Sequence, residues 1–542
     1  MTGVNNLNGT MGKSSFTGLA TQTSWDKAPE VKITSGKATF DLKEIYPWLI
    51  SSKIISGKLQ DLQGVHGVIA LSSIQYQGKL FEPDNYEFQI AGEARNVALN
   101  SSLFPGVLKI TKGFFNSTEE NISISDSHTR ILDASLKVSG NLKDYPKDLS
   151  HVDLTFQGDL GPDSVRWISD VLKLPPYLHL RPPISVSTAH LTWNHDHEIG
   201  FSGDLLFHPK IKVSTEIHAN PHAMTIKNLV IQDRDDHASI KFVQKNRTAD
   251  LFFTGKLHKS TLDGIVEENQ ILNGWINGNF QARVLLDRPL NSTLQGELQA
   301  SNLLLPGTSK VPLVINDLSL KTIKDHLQVE SAALSWADNQ FELKGNVNFS
   351  AHEPDLDMEL TSKAIDLDKL IQAMNKYRKK DPNPEAEKTW TSPVRGVLKL
   401  KTQALAYKGF TWTPFQADII FNDRAADVVL TNANLCAIST PGTLKISPRE
   451  INVHVKPYVR GQKLKSFISC LLDKSAKVDG DFDLDGELTA QGQGEQLIQS
   501  IGGHIKLDAA KGRIYAGRFY SVLIDISNLI QFTEMFKGKM PD

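Results

Sequence analysis

Apolar and polar residues alternate with period two along most of this chain, which predicts strands with one apolar and one wet face. In HVDLTFQGDL, Val152, Leu154, Phe156 and Leu160 share one side while His151, Asp153, Thr155 and Asp159 take the other. The same scheme groups Phe341, Leu343, Val347 and Phe349 in FELKGNVNFS, Leu356, Met358 and Leu360 in DLDMELT, and Ile451, Val453 and Val455 in INVHVKP. The most regular case is DFDLDGELTA, which sets Phe482, Leu484, Leu488 and Ala490 against Asp481, Asp483, Asp485, Glu487 and Thr489. Strands wet on one side belong to antiparallel sheets, because parallel sheets covered on both faces read as continuous apolar runs.

Short helical patterns interrupt the strands, each opened by a residue able to cap it. Asp41 begins DLKEIYPWLIS, Asp163 or Ser164 opens GPDSVRWISDVLKL, Ser260 begins STLDGIVEENQIL, and Asp366 begins DLDKLIQAMNKY. A fifth, GQKLKSFISCLL, spaces Leu464, Phe467, Ile468 and Leu471 at helical intervals. The starts recur at a long period, which predicts a repeat of one helix followed by several strands. Glycines at several strand entries, as in DGDFDLDGELTA, predict bulges or bends where a sheet curves. RKKDPNPEAEKTWTSP, residues 378–393, is charged, proline-rich and without apolar periodicity, so it reads as a linker or long loop. It separates a β-rich repeat region, 1–377, from a carboxy-terminal block, 394–542.

Composition narrows the function. With 59 Lys+Arg against 61 Asp+Glu the net charge is −2, which argues against nucleic acid as the main partner. The best apolar run, FYSVLIDISNLIQFTEMF from Phe519, is interrupted by Asp525, Asn528 and Gln531 and falls short of a membrane span. Gly12, Lys13 and Ser14 end a partial phosphate-loop pattern whose first glycine is missing, with Leu7 in its place, and the segment reads as a flexible terminus. Asp481, Asp483, Asp485 and Gly486 match half a calcium loop, but the twelfth position is Gly492. His195 and His197 in WNHDHE, and DRDDH at 233–237, read as solvated turns. No elbow, zinc or dinucleotide motif is present, so no enzyme activity, cofactor or metal is expected. What the sequence holds in quantity is apolar strand face, and a second sheet, the short helices or a bound apolar ligand must cover it.

The order of these pieces resembles the AsmA-like family of Gram-negative envelope proteins. DLKEIYPWLISSKIISGKLQDLQGVHGVIAL resembles that family's helix-plus-strand unit, and GPDSVRWISDVLKLPPYL its next helical insertion. ANLCAISTPGTLKI, FISCLLDKSAKVDGDFDLDGELTAQG and EQLIQSIGGHIKLDAAKGRIYAGRFYSVLIDISNL resemble the AsmA-like carboxy-terminal region. The resemblance implies a mainly β fold with short helices, in which a long curved antiparallel sheet forms an apolar groove, as in bridge-like lipid transfer proteins. It implies a non-enzymatic periplasmic role: shielding phospholipid acyl chains for transport between inner and outer membranes, in support of outer-membrane biogenesis and integrity. Inner-membrane anchoring is implied too, by a segment these residues do not contain, so the chain is expected to be part of a longer one.

On this reading the groove lining comprises Phe341, Leu343, Val347, Phe349, Leu356, Met358, Leu360, Leu398, Leu400, Phe482, Leu484 and Leu488. Partners are phospholipid and the membranes at one or both ends. An oxidising periplasm favours a disulfide between Cys436 and Cys470 if their backbones approach within ~7 Å; two buried free thiols are the alternative. The rival architecture is a structural or adhesive β-repeat protein with a closed, dry core.

Overall fold

Period-two patterning forms strands here almost without interruption. The structure, a computed structural model, describes residues 2–25, 29–51, 61–79, 86–102, 104–144, 149–171, 178–207, 210–269, 272–287, 292–304, 313–323, 326–349, 354–377, 394–422, 425–447, 450–472, 478–493 and 495–514. The segment 378–393 and the Phe519 run lie outside the described residues. Contacts divide the chain into two units, Met1–Asn269 and Gln270–Asp542.

The first unit is a meander. Its strands run from Thr2–Met11 to Thr248–His258, and each pairs antiparallel with the next in sequence. The amino-terminal segment, expected to be flexible, is the first hairpin: Thr2–Met11 pairs with Ser14–Ser24 around a turn at Gly12 and Lys13. Its side chains are mostly exposed, so backbone pairing holds it, helped by the Lys13 N–H donating to both Glu44 carboxylate oxygens at 3.1 and 2.9 Å.

The second unit begins the same way, with antiparallel strands from Leu272–Leu285 to Asp355–Asp366. The long antiparallel sheet expected from the sequence has one local departure here, because Arg395–Tyr407 lies parallel to Asp355–Asp366, from Asp355↔Arg395 to Asp366↔Ala406. A parallel pair requires a crossover of a dozen or more residues, and here the connection holds the Leu367–Tyr377 helix and the 378–393 segment. Alternation reports which face is apolar but not which way a strand runs, so the sequence could not show it. Antiparallel pairing then resumes through to Gly502–Ile514.

Each expected helix forms: Leu42–Ser51, Pro162–Val171, Lys259–Ile265, Leu367–Tyr377 and Leu464–Leu472. Two are capped as the sequence predicts, with Asp41 accepting from the Lys43 N–H at 3.0 Å and Asp366 from the Lys369 N–H at 3.0 Å. Pro162–Val171 is capped from far away in sequence: Asp133 accepts from the N–H groups of Asp163 at 2.8 Å and Ser164 at 2.9 Å. A short helix, Glu495–Gln499, was not anticipated.

Candidate functional site

Because the strands pair in near-regular register, their apolar positions fall into rows that cross the sheet. In the second unit one row steps Leu320↔Val329↔Gly345↔Met358↔Leu398↔Ile419↔Val428↔Leu444↔Val453. A parallel row runs Leu318↔Ala332↔Leu343↔Leu360↔Leu400↔Ala417↔Leu430. Adjacent strands stand ~4.8 Å apart, so the longer row covers roughly 38 Å of uninterrupted apolar side chain or glycine. The first unit repeats the device with Phe115↔Ile124↔Gly140↔Leu154↔Leu191↔Phe201↔Ile217↔Ile226↔Phe242↔Leu251.

At the centre of the second unit's rows, Met358, Val329 and Ala332 are buried, and Leu318, Leu320, Leu334, Leu343, Val347, Leu356 and Leu398 pack around them half-buried. All of these come from five neighbouring strands of one sheet. Among the described residues, no hydrophobic from another element joins the cluster. The structure thus brings together Leu343, Val347, Leu356, Met358 and Leu398 of the expected lining. Phe341 lies opposite Leu334, Leu360 bridges Leu343 and Leu400, and Phe349 follows just after its strand; all three of Phe341, Leu360 and Phe349 are half-buried.

Phe482 and Leu484 differ and need correction as lining residues. They are 1% and 5% exposed, in a cluster with Ile438, and are packed by Leu464, Phe467, Val459 and Ile505. Leu464 and Phe467 come from the Leu464–Leu472 helix, so at this place the apolar face is covered by the chain itself; Leu488, further along the strand, is half-buried. The helix is fixed there by a disulfide between Cys470 and Cys436, with Cα atoms 5.7 Å apart. Cys436 and Ala437 form the two-residue turn after Ala426–Leu435, both at positive φ (51° and 68°), the backbone twist that suits a tight hairpin.

The opposite face is polar and its charges alternate. Lys344↔Glu359↔Lys399↔Asp418 stand in one row. Glu359 meets Lys344 at 3.2 Å and Lys401 at 2.7 Å, and hydrogen bonds from these two ammonium groups hold its carboxyl below the usual range.

The other sequence candidates lie in turns or in local ion pairs and hydrogen bonds. His195 and His197 occupy an exposed turn, as expected. Asp481 and Asp485 pair with Lys463 at 2.7 Å and Arg460 at 2.6 Å, while Asp483 accepts from the Gly461 N–H at 2.7 Å, so these carboxylates tie neighbouring strands together. DRDDH is not simply a solvated turn: Asp236 is 3% exposed and accepts from the His258 backbone N–H at 2.7 Å and pairs with its ring Nδ1 at 2.5 Å, which anchors the entry to the Lys259–Ile265 helix. No protein-family model, curated protein or solved structure matches the chain.

Proposed function

We propose that the chain shields the acyl chains of phospholipid along its apolar sheet face, as a non-enzymatic component of phospholipid transport between the inner and outer membranes of a cell envelope. The observation that carries this reading is the row Leu320 to Val453: apolar or glycine at every strand, and half-buried over much of its length. Each methylene kept from water there is worth ~0.8 kcal/mol, so a lipid tail lying along the row meets no polar step large enough to stop it. The polar face, with its paired charges, stays in water. A disulfide in a chain with two cysteines supports the periplasm as its compartment; anchoring to the inner membrane belongs to the same reading and rests on the AsmA-like resemblance. Outer-membrane biogenesis and integrity would then depend on the open rows. Where Phe482 and Leu484 lie beneath a helix, the closed-core alternative describes the local packing better.

The test is gentle purification of the protein from envelope fractions, extraction into organic solvent and mass spectrometry. Phospholipid in stoichiometric amount is expected, together with ultraviolet cross-linking of lipid to a photoreactive residue placed at Leu398 and none to one placed at Lys399. Protein free of lipid with no cross-link at Leu398 would remove the proposal.

A further inference from the structure

The polar face of the first unit holds a row unlike any other described here. Arg95, Lys112, His128 and Lys137 stand directly opposite one another on four consecutive strands, Arg95↔Lys112↔His128↔Lys137. Beside them Lys109 faces Arg130. Like charges placed opposite in a sheet are destabilising, and the Lys344↔Glu359↔Lys399↔Asp418 row shows the alternating arrangement that relieves them. Three acids share the neighbourhood: Glu93 pairs with Arg95 and lies 3.9 Å from Lys112, Asp126 lies 2.6 Å from Lys137 and 3.6 Å from His128, and Asp159 stands opposite Ser135. They leave positive charge in excess, with Arg130 exposed alongside.

The local backbone is shaped to hold the group apart. The Asn121–Ile131 strand is bulged against both neighbours, and Asp126 sits at φ 48° within the bulge. Bulges re-aim side chains and occur beside functional sites. A cleft of about 530 Å³ opens over this region, lined among others by Thr111, Lys112, His128, Arg130, Ser135 and Lys137. From Arg95 to Lys137 is three strand spacings, roughly 14 Å, so one small monovalent ion would satisfy only part of it.

We propose that this row binds a multiply phosphorylated anion laid across the strands, its phosphates on Arg95, Lys112 and Lys137 and the Thr111 and Ser135 hydroxyls as further donors. Phosphate suits the mixture: the lysines give mobile point charges, and Arg95, whose Nε and Nη2 donate to Glu93, offers its Nη1 N–H groups to a further acceptor. The inference concerns the wet face and stands apart from the lipid reading of the apolar one. Clustered phosphates occur both in soluble oligophosphates and in diphosphate lipid headgroups, and the experiment separates them.

Sodium tripolyphosphate is titrated into the intact protein by calorimetry at low salt, and flotation is measured with cardiolipin vesicles and with phosphatidylcholine vesicles. Saturable tripolyphosphate binding is expected, weakened roughly tenfold or more in a Lys112→Gln/Lys137→Gln variant and by added salt, but unchanged in Lys399→Gln. Cardiolipin-specific flotation lost in the same double variant would make the headgroup the source; tripolyphosphate binding without flotation would make it a soluble anion. If the double variant melts early, Arg95→Gln gives the same reading from one exposed charge. Absence of saturable binding to either probe, or equal affinity in wild type and the charge-removed variants, overturns the proposal.

Discussion

Gly345 stands directly opposite Met358 in the adjacent strand, and a Cβ on Gly345 would come within 2.2 Å of the Asp357 carbonyl oxygen and 2.8 Å of the Met358 Cα. Its φ of 138° lies where residues with a side chain are strained. The apolar row crosses this strand on bare backbone, and the Met358 sulfur lies 3.0 Å from where a Gly345 Cβ would stand, in the cluster that also holds Val329 and Leu398. Gly345→Val is therefore expected to cost about 2 kcal/mol or more, from backbone strain added to the clash. Urea denaturation measures it, and a variant as stable as wild type would show that the strand pair shifts freely.

Leu398 and Leu484 carry the same sequence pattern and opposite surroundings. Leu398→Arg should leave the protein folded, because a half-buried guanidinium can reach water along its own stem, but should lower bound lipid. Leu484→Arg puts a charge at a site 5% exposed beneath a helix and should cost several kcal/mol. Glu342→Arg, on the wet face, is expected to stay within ~0.5 kcal/mol. Melting curves with lipid analysis on the three variants check the set. Collapse of Leu398→Arg would mean that its face is sealed.

The disulfide closes a loop of sequence separation 34, for which chain entropy gives about 3.5–4 kcal/mol. Cys470→Ser should lose most of that stability and increase hydrogen exchange first in the Leu464–Leu472 helix. Alkylation of denatured protein without reductant should label no cysteine; two labelled thiols would contradict the pairing.

Asp236 sets an acid limit. Burial pushes its carboxyl up, but hydrogen bonds from Thr261 and from the backbone and ring of His258 outweigh burial and hold it below the usual range. A carboxyl lowered on folding contributes stability in full above its unfolded value of about 3.9, and that contribution is lost as pH falls through the folded value. Asp236→Asn should cost about 1–3 kcal/mol at neutral pH and flatten the loss of stability below pH ~4. Stability measured from pH 7 to 3 for both proteins decides it, and parallel curves would exclude Asp236 as a source.

Strand existence and face were legible because alternation is local: His151–Leu160 coincides with the segment read from its residues alone. Helix starts were legible where the cap is adjacent, as at Asp41 and Asp366. At Pro162–Val171 the start was legible too, but the capping residue was not, since only the fold brings Asp133, thirty residues back, to the N–H groups of Asp163 and Ser164. Asp236 was misread for the same reason, its partner being His258. Leu484 and Leu398 could not be distinguished, because period two records that a face is apolar and is silent on what lies over it.

The parallel pairing of Asp355–Asp366 with Arg395–Tyr407 has a directional consequence. In strict up-and-down order every strand reverses the last, so the end at which a connection leaves depends only on counting. The Leu367–Tyr377 helix leaves the far end of Asp355–Asp366, and because Arg395–Tyr407 repeats that direction, each later strand in the second unit is inverted relative to an unbroken meander. Following the pairings through Phe410–Phe421, Ala426–Leu435 and Ile438–Ser439, Tyr458–Lys463 points the same way as Asp355–Asp366. The Leu464–Leu472 helix therefore departs from the same margin of the sheet as its predecessor. Without the repeat it would stand on the opposite margin, the one from which Val478–Gly492 leads into the Glu495–Gln499 helix.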